Sequence, residues 1–266
     1  MNLKVFPPPE QLQPFIKCYW LSESRYTDYI TDVFFPDGSV EIVFHIGIDF
    51  YRNDEKESSS KILGQITRPL TMKARGEGRS FGIWFLPHAF HSVTKIPLNS
   101  LNDRAISLDT FFSKSFIDSV NNCIFENRIE DLLTEVNAYF TSLLNISANP
   151  IKDKIAAYAV NYILRKKAEA DLDKLSGECN ISSRYLQKIF LEKIGYGPKY
   201  FIKIVRFQHA LQILSGKRTG SLTSLAYSAG YFDQAHFIRD FKQFTGFTPS
   251  QFSLSESPIN QHFLNL

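Results

Sequence analysis

The stretch Leu222–Phe252, LTSLAYSAGYFDQAHFIRDFKQFTGFTPSQF, decides the fold of the second half of the chain. Its apolar residues recur at helical spacing on either side of Gly230, which predicts a short helix, a left-handed turn and a longer helix. Asp233 is suited to cap the longer helix. The predicted buried stripe of that helix is aromatic and consists of Phe237, Phe241 and Phe244. Two helices joined in this way predict a helix-turn-helix, whose second helix is free to enter a DNA major groove.

A second copy of the pattern lies about fifty residues upstream, in Leu172–Phe201. Asn180, which tolerates a left-handed conformation, takes the place of Gly230. Ser182 takes the place of Asp233 as the helix cap. Internal repeats are informative about architecture. The sequence therefore predicts two helix-turn-helix units in tandem.

This arrangement, over about residues 151–255, resembles the DNA-binding domain of the AraC/XylS family of bacterial transcription regulators. The family's closing pattern is aromatic, x, Arg, x, Phe-Lys, then Gly-x-x-Pro, found here at Phe237, Arg239, Phe241, Lys242, Gly246 and Pro249. The predicted joining helix, Lys199 to Leu214, carries the family's Arg-x-x-x-Ala-x-x-x-Leu pattern at Arg206, Ala210 and Leu214. The resemblance implies an effector-responsive activator that inserts two recognition helices into successive major grooves of promoter or operator DNA, with RNA polymerase as a further partner.

The charge distribution agrees with a division into two domains. Residues 1–150 carry 14 Lys and Arg against 18 Asp and Glu, a net of −4, and residues 151–266 carry 16 against 9, a net of +7. A basic half beside an acidic half is expected when one domain binds nucleic acid. We predict a two-domain α+β protein. Residues 1–148 would form a β-rich sensor domain with trailing helices, and residues 151–256 an all-α AraC-type DNA-binding domain.

Short strands separated by turn signals predict a barrel or sandwich in the first domain. The predicted strands include Ser39–Ile46, Ile62–Ile66 and Ser80–Leu86, and the predicted turns Pro36–Gly38 and Arg75–Arg79. The runs Phe35-Pro-Asp-Gly38, Gly64–Arg68 and Phe81–Phe85 also resemble a cupin-like sensor domain of AraC-like regulators. That resemblance implies a regulatory domain but does not identify its effector, for which a small molecule is the candidate.

Helices follow the predicted strands. One is expected from Ser107 to about Cys123 and another from Arg128 to Leu144. The apolar stripe of the second fits two interpretations, a homodimer contact or packing against its own domain. Ile146–Pro150 is the predicted linker, and residues 257–266 are predicted to form a loose tail.

The outward faces of the recognition helices supply the candidate DNA-binding residues. The family's base-contacting positions fall on Arg184, Gln187 and Lys188 in the first unit and on Gln234, Ala235, Ile238 and Arg239 in the second. Gln suits adenine and Arg suits guanine through paired hydrogen bonds, whereas apolar side chains meet a thymine methyl group.

The two units are not expected to contribute equally. Ala235 and Ile238 are less polar than is usual in the family, and Arg239 fits a base contact, a phosphate contact or a bracing role. We therefore expect the first unit to carry more of the sequence recognition. Three further basic residues of this half are assigned to phosphate attraction or solubility; they are Lys199, Lys203 and Lys217.

Other classes of protein are less well supported. The opening MNLKVFPPPE is unlike a signal peptide and no run is long enough to span a membrane, so a cytoplasmic protein without a membrane partner is expected. Cys18, Cys123 and Cys179 have no pairing or metal-like spacing, as expected in a reducing compartment.

The alternative function is a cupin-like small-molecule- or metal-binding protein whose N-terminal domain carries the main activity. His88 and His91, with His45 and Glu41, fit a metal site only loosely, because the cupin His-x-His pattern is missing. No metal, cofactor or catalytic residue is predicted, and the protein is not expected to be an enzyme. The aromatic residues of the first domain fit either an effector pocket or a core; they are Tyr19, Trp20, Trp84 and Phe85.

Overall fold

The computed structural model describes residues 2–144, 150–215 and 221–252. Within these ranges the chain forms one seven-stranded antiparallel sheet and nine α-helices, the first of which precedes the last strand. The strands are β1 (Asn2–Phe6), β2 (Ile16–Phe34), β3 (Val40–Arg52), β4 (Glu55–Lys56), β5 (Ser60–Leu63), β6 (Leu70–Phe85) and β7 (Ala105–Ser107). The helices are α1 (Phe90–Thr94), α2 (Lys114–Phe125), α3 (Ile129–Leu143), α4 (Pro150–Lys166), α5 (Leu172–Glu178), α6 (Ser183–Lys193), α7 (Pro198–Ser215), α8 (Leu222–Ser228) and α9 (Gln234–Thr245).

Three long strands build the sheet, in which β6 lies between β2 and β3 and the order is β1-β2-β6-β3-β5-β7. Register shifts between Tyr26 and Ile30 and between Ile46 and Ile48 bend the strands. One face of the sheet packs against α2 and α3 in a common core that includes Phe44, Phe81 and Phe140. The opposite face lines a cavity. The predicted β-rich domain with trailing helices is confirmed.

The predicted turn at Arg75–Arg79 is wrong, because these residues lie inside β6. Gly76 has a φ of +119°, and a Cβ on Gly78 would lie 1.8 Å from the carbonyl oxygen of Ile46. The glycines permit β6 to pass very close to the bulged backbone of β3. The glycines that suggested a turn are therefore required because two strands approach each other closely.

The helix expected from Ser107 begins later. Leu108–Thr110 forms a short 3-10 turn, and α2 starts at Lys114 with Ser113 Oγ accepting a hydrogen bond from the Phe116 backbone N–H at 3.4 Å. The predicted helix Arg128–Leu144 is confirmed as α3. Its stripe is buried within its own domain, which favours the packing interpretation of that stripe.

The C-terminal helices enclose a second core, and the predicted all-α tandem arrangement is confirmed. The joining helix α7 contributes Phe201, Phe207 and Leu211 to this core. Phe237, Phe241 and Phe244 from α9 are fully buried beside it, as predicted. The tandem units therefore share one hydrophobic core built around α7.

The turn between β2 and β3 docks into this second core. The Phe35 ring meets Phe207 at 6.3 Å and Phe252 at 5.5 Å between ring centroids. Gln208 Nε2 on α7 donates to the Pro36 carbonyl oxygen at 2.6 Å. Gly38 has a φ of +83°, and a Cβ there would lie 3.0 Å from the Phe201 ring. The predicted turn Pro36–Gly38 thus also forms a packing contact between the two domains.

Some predictions fall outside the described residues: most of the linker Ile146–Pro150, Lys217 and the tail 257–266. The domain limits 1–148 and 151–256 stay predictions. Among the described helices, none combines the length and apolar character needed to cross a bilayer.

Replacing Gly78 by Ala is expected to destabilise the N-terminal domain by more than about 2 kcal/mol, because the new Cβ meets backbone rather than a flexible side chain. The matched control is Gly177→Ala on α5, where a Cβ would have nothing within 4 Å. Thermal unfolding should show a clearly lower midpoint for the first variant and an unchanged or higher midpoint for the second. Equal midpoints would contradict the proposed close approach.

Candidate DNA-binding surface and internal cavity

The upstream unit, α5 and α6, has the local geometry that the sequence predicted. Asn180 in the intervening turn has a φ of +52°. Ser182 Oγ caps α6 by accepting from the Tyr185 backbone N–H at 3.2 Å. Asp171 caps α5 by accepting from two backbone N–H groups of its first turn. The Ser182 cap fixes where α6 begins and hence which side chains its first turns expose.

The downstream unit, α8 and α9, repeats this construction. Gly230 in the turn has a φ of +86°. Asp233 Oδ1 accepts from the His236 backbone N–H at 2.7 Å, as predicted for the cap of α9. Gly246, with a φ of +81°, ends α9 in the left-handed conformation. The first turns of α6 and α9 therefore occupy equivalent positions in the two units.

The three candidate residues of the upstream unit lie together on the solvent side of α6. Arg184, Gln187 and Lys188 are all exposed, while the inward side of the helix is buried. The Gln187 amide lies over the turn into α7, since a Cβ on Gly197 would be 2.5 Å from Gln187 Nε2. The arrangement presents two cations and an amide on one face.

The candidate DNA-binding residues of the downstream unit are less exposed than those of the upstream unit. Ala235 and Arg239 are exposed, but Ile238 is half-buried and packs against the second core. Gln234 is half-buried too, and its Oε1 accepts from Thr223 Oγ1 at 3.0 Å. The polar surface of α9 is thus smaller than that of α6.

A buried carboxylate that sequence reasoning missed ties α7 to α9. Asp240 is 1% exposed, and its Oδ1 lies 3.0 Å from Lys203 Nζ while its Oδ2 lies 3.2 Å from His236 Nε2. Lys203 therefore has an intramolecular partner, which its assignment to phosphate attraction or solubility did not foresee. Lys199, by contrast, is exposed. The helical pattern of α9 places Asp240 on the buried side, where a charged residue is not expected. Its buried carboxylate therefore could not be predicted from the pattern.

A second missed group joins α6 to both domains. Lys193 Nζ is buried and lies 2.7 Å from Asp153 Oδ1 on α4. The same carboxylate oxygen accepts from Ser92 Oγ on α1 at 2.8 Å. Asn102 Nδ2 of the N-terminal domain also donates to the Gly195 carbonyl oxygen at 2.8 Å, just after α6. Helix α6 is therefore held by contacts from the N-terminal domain.

A cavity of about 410 Å³ lies inside the curled sheet. Small side chains on the inner face, including Ser22 and Ser80, leave room for it, and aromatic and charged groups also line it. Leu164 on α4 and Gln208 and Gln212 on α7 complete the lining. Of the four aromatic residues considered for an effector pocket, Trp20 and Trp84 line the cavity and Tyr19 belongs to the core on the opposite face. Phe85 borders the cavity, but its ring packs in that core against Phe90 and Phe140.

Glu41 projects into this cavity from β3. Its Oε2 accepts from Trp20 Nε1 at 3.1 Å. Burial, reinforced by the negative charge of Asp37, raises the pKa of the Glu41 carboxyl to about 8, although Trp20 and Lys17 act in the opposite direction. The Glu41 side chain is half-buried in the cavity lining. No feature of the sequence around Glu41 indicates this environment.

Two cations of the cavity lining, Arg52 and Lys61, pair with the same carboxylate. Glu57 Oε1 lies 2.7 Å from Arg52 Nε, and Glu57 Oε2 lies 2.7 Å from Lys61 Nζ. Burial, with the charge of Lys61, lowers the pKa of His45, whose Nδ1 lies 2.8 Å from Ser80 Oγ. At neutral pH His45 is therefore uncharged.

The histidines considered as metal ligands do not converge. Burial lowers the pKa of His88 to about 4. His91 Nδ1 lies 3.4 Å from Lys193 Nζ, and His45 contacts Ser80 instead. Across the described ranges, no group of three or more His, Cys, Asp or Glu side chains is placed to hold a metal ion.

Comparison with known proteins matches both parts of the chain. Residues 175–254 match the family model described as "Helix-turn-helix domain", and residues 4–107 match a domain of unknown function, DUF6597. An uncharacterized HTH-type transcriptional regulator of Haemophilus influenzae is 27% identical over 150 residues, which are 54% of this chain and 47% of that protein. The chain thus spans less than half the length of the curated relatives that it matches first.

Two solved structures are also similar. A probable AraC family transcriptional regulator from Rhodopseudomonas palustris is 33% identical, with 38% of this chain and 98% of that chain covered and a TM-score of 0.33. ToxT from Vibrio cholerae O395 is 11% identical, with 93% of this chain and 97% of that chain covered and a TM-score of 0.43.

The raised pKa of Glu41 predicts a specific pH dependence of stability. Above about pH 4.5 the unfolded chain releases this proton, whereas the folded protein retains it until about pH 8, so ionisation opposes folding increasingly over that range. Glu41→Gln should therefore raise the unfolding midpoint little near pH 4.5 and most above pH 8.

Tryptophan fluorescence suits this measurement, because both tryptophans of the chain, Trp20 and Trp84, lie in the N-terminal domain. Glu10→Gln, on the exposed surface, is the matched control and should show no such trend. A gain for Glu41→Gln that is the same at pH 4.5 and pH 8.5 would show that the carboxyl titrates normally.

Proposed function

The chain belongs to the AraC/XylS family of helix-turn-helix transcription regulators, and we propose that it binds specific DNA sites by inserting α6 and α9 into successive major grooves. The observation that carries the proposal is the pair of capped helices, each with an exposed face, on a core built around α7. Such a pair has the form that enters major grooves in helix-turn-helix proteins.

The proposed roles follow the exposure of each side chain. Arg184 and Gln187 would meet base edges, with Arg suited to guanine and Gln to adenine. Lys188 would meet a base or a phosphate. On α9, Gln234 and Arg239 would supply polar contacts, and Ala235 and Ile238 would meet apolar groups such as a thymine methyl. The larger polar surface of α6 supports a larger share of sequence recognition for the upstream unit.

The length of the joining helix supports binding by one molecule to two adjacent grooves. The 18 residues of α7 span about 27 Å at 1.5 Å per residue, and the flanking turns add to this. Successive major grooves on one face of DNA are about 34 Å apart. A monomer would then recognise an asymmetric site, and a homodimer a repeat of it. Because the α3 stripe is buried, a homodimer would use another surface.

The cavity supports an effector-responsive regulator. Its lining includes Gln208 on α7, which also donates to the Pro36 carbonyl oxygen of the docking turn. A bound molecule would therefore touch the helix that holds both recognition units. We propose that effector binding adjusts DNA binding through this contact, that the protein activates transcription with RNA polymerase in the cytoplasm, and that it acts without a cofactor or catalysis.

Replacing Arg184, Gln187 and Lys188 together by Ala should lower affinity for a DNA site selected from a random pool by at least about 100-fold, since specific contacts contribute about 1–3 kcal/mol each. Binding would be measured by fluorescence anisotropy over a range of salt concentrations. The dependence of affinity on salt should become less steep in proportion to the number of phosphates that the variant no longer binds.

The matched control is the double variant Arg25→Ala and Lys73→Ala, which removes the same positive charge from the exposed surface of the sheet. It should bind nearly as tightly as the parent. If the triple variant folds and binds the selected site as well as the parent does, the proposed mode of DNA recognition is wrong.

A further inference from the structure

Glu41 places a carboxyl group in the cavity lining that forms no ion pair with a cation among the described residues. Its Oε2 accepts from Trp20, and within the described residues no hydrogen bond to Oε1 is found. Asp37, nearby, is engaged by the backbone N–H and the hydroxyl of Ser39 at 2.9 and 2.6 Å. Oε1 is therefore the acceptor that remains for a molecule in the cavity.

Two indole rings flank this carboxyl group. The Trp20 ring lies over Gly82, where a Cβ would be 2.1 Å from the ring, so only glycine lets the indole lie flat there. Trp84 is paired with Glu41 across β6 and β3. The ammonium of Lys17 already lies 3.9 Å from the centre of the Trp84 ring. The face of that ring thus attracts a cation, as expected from its negative quadrupole.

The remaining charges make an anionic ligand a poorer fit. Arg52 and Lys61 both pair with Glu57, and His45 is neutral. Lys17 is exposed at the edge of the cavity and is engaged with Trp84. Gln208 and Gln212, which face the same space from α7, carry no charge. A ligand cation at Glu41 would pair with its carboxylate. Among the described cations of the lining, a ligand anion would find Arg52 and Lys61 already paired with Glu57, which leaves Lys17 at the exposed edge.

We propose that the cavity binds a small organic cation with an aromatic or apolar body, with its positive group at the Glu41 carboxylate between Trp20 and Trp84 and its body along the serine-lined inner face. This ligand class rests on the proposed effector response and makes it specific. About 410 Å³ is in the range of pockets that enclose small molecules.

Binding of a cation would be coupled to release of a proton, because the ligand selects the ionised form of Glu41. Benzyltrimethylammonium is a suitable probe, since its charge is fixed at every pH. Calorimetric titration of the full chain should give binding that is roughly 20-fold weaker at pH 6.5 than at pH 8.5, because each pH unit below the pKa leaves about ten times less carboxylate. The heat should also depend on the buffer, which takes up the released proton.

Glu41→Gln should bind the probe at least about 20-fold more weakly than the parent at pH 8.5 and should lose the pH dependence. The control Glu10→Gln should bind as the parent does. Two similar molecules of other charge, 3-phenyl-1-propanol and 3-phenylpropionate, should bind more weakly than the cation.

Tighter binding of 3-phenylpropionate, or undiminished binding of the cation to Glu41→Gln, would overturn the proposal. Failure of the cation to bind the parent at any pH would also overturn it. Because these titrations contain no DNA, such a failure would leave the proposed DNA recognition standing, whereas loss of DNA recognition alone would leave the ligand class standing.

Discussion

The docking of one short turn into the second core is the interaction on which the arrangement of the molecule depends. Phe35 leaves the end of β2 and packs with Phe207 of α7. Burying a phenylalanine side chain contributes about 2 kcal/mol, and the Gln208 hydrogen bond to Pro36 adds direction to the contact. Gly38 is needed because the turn is left-handed there and lies against Phe201. The sheet and the helices are thus joined through the same helix that organises both recognition units.

The same turn connects the cavity to the candidate DNA-binding surface. Two residues beyond Phe35, Asp37 helps to raise the pKa of Glu41, and Gln208 on α7 contacts both the turn and the cavity. A change of charge at Glu41 would therefore occur in a cavity that α7 also lines. Since α7 also holds α9 through the ion pair between Lys203 and Asp240, a shift of α7 would change the relative positions of α6 and α9.

Local signals predicted the helical half of the fold well. The left-handed positions Asn180 and Gly230, the caps Ser182 and Asp233 and the aromatic stripe of α9 depend on neighbouring residues only, and all are confirmed. The exposed face of α6 could be predicted for the same reason. The DNA contacts themselves stay predictions.

Features that depend on distant segments could not be predicted in the same way. The glycines at 76 and 78 permit contact with a strand about thirty residues away, and their local pattern resembles a turn. Lys203 meets Asp240, and Glu41 meets Trp20, only after the chain has folded. The cavity likewise arises because Ser22, Ser80 and Gly82 converge from two strands on one inner face. No single stretch of sequence carries that information.

The most direct test of the account is a hydroxyl-radical footprint of the full chain on a DNA site selected from a random pool. Two recognition helices held by α7 predict two protected segments on one face of the duplex, centred about 10 base pairs apart. A single protected segment, or two segments on opposite faces, would contradict simultaneous insertion of α6 and α9 and with it the central claim.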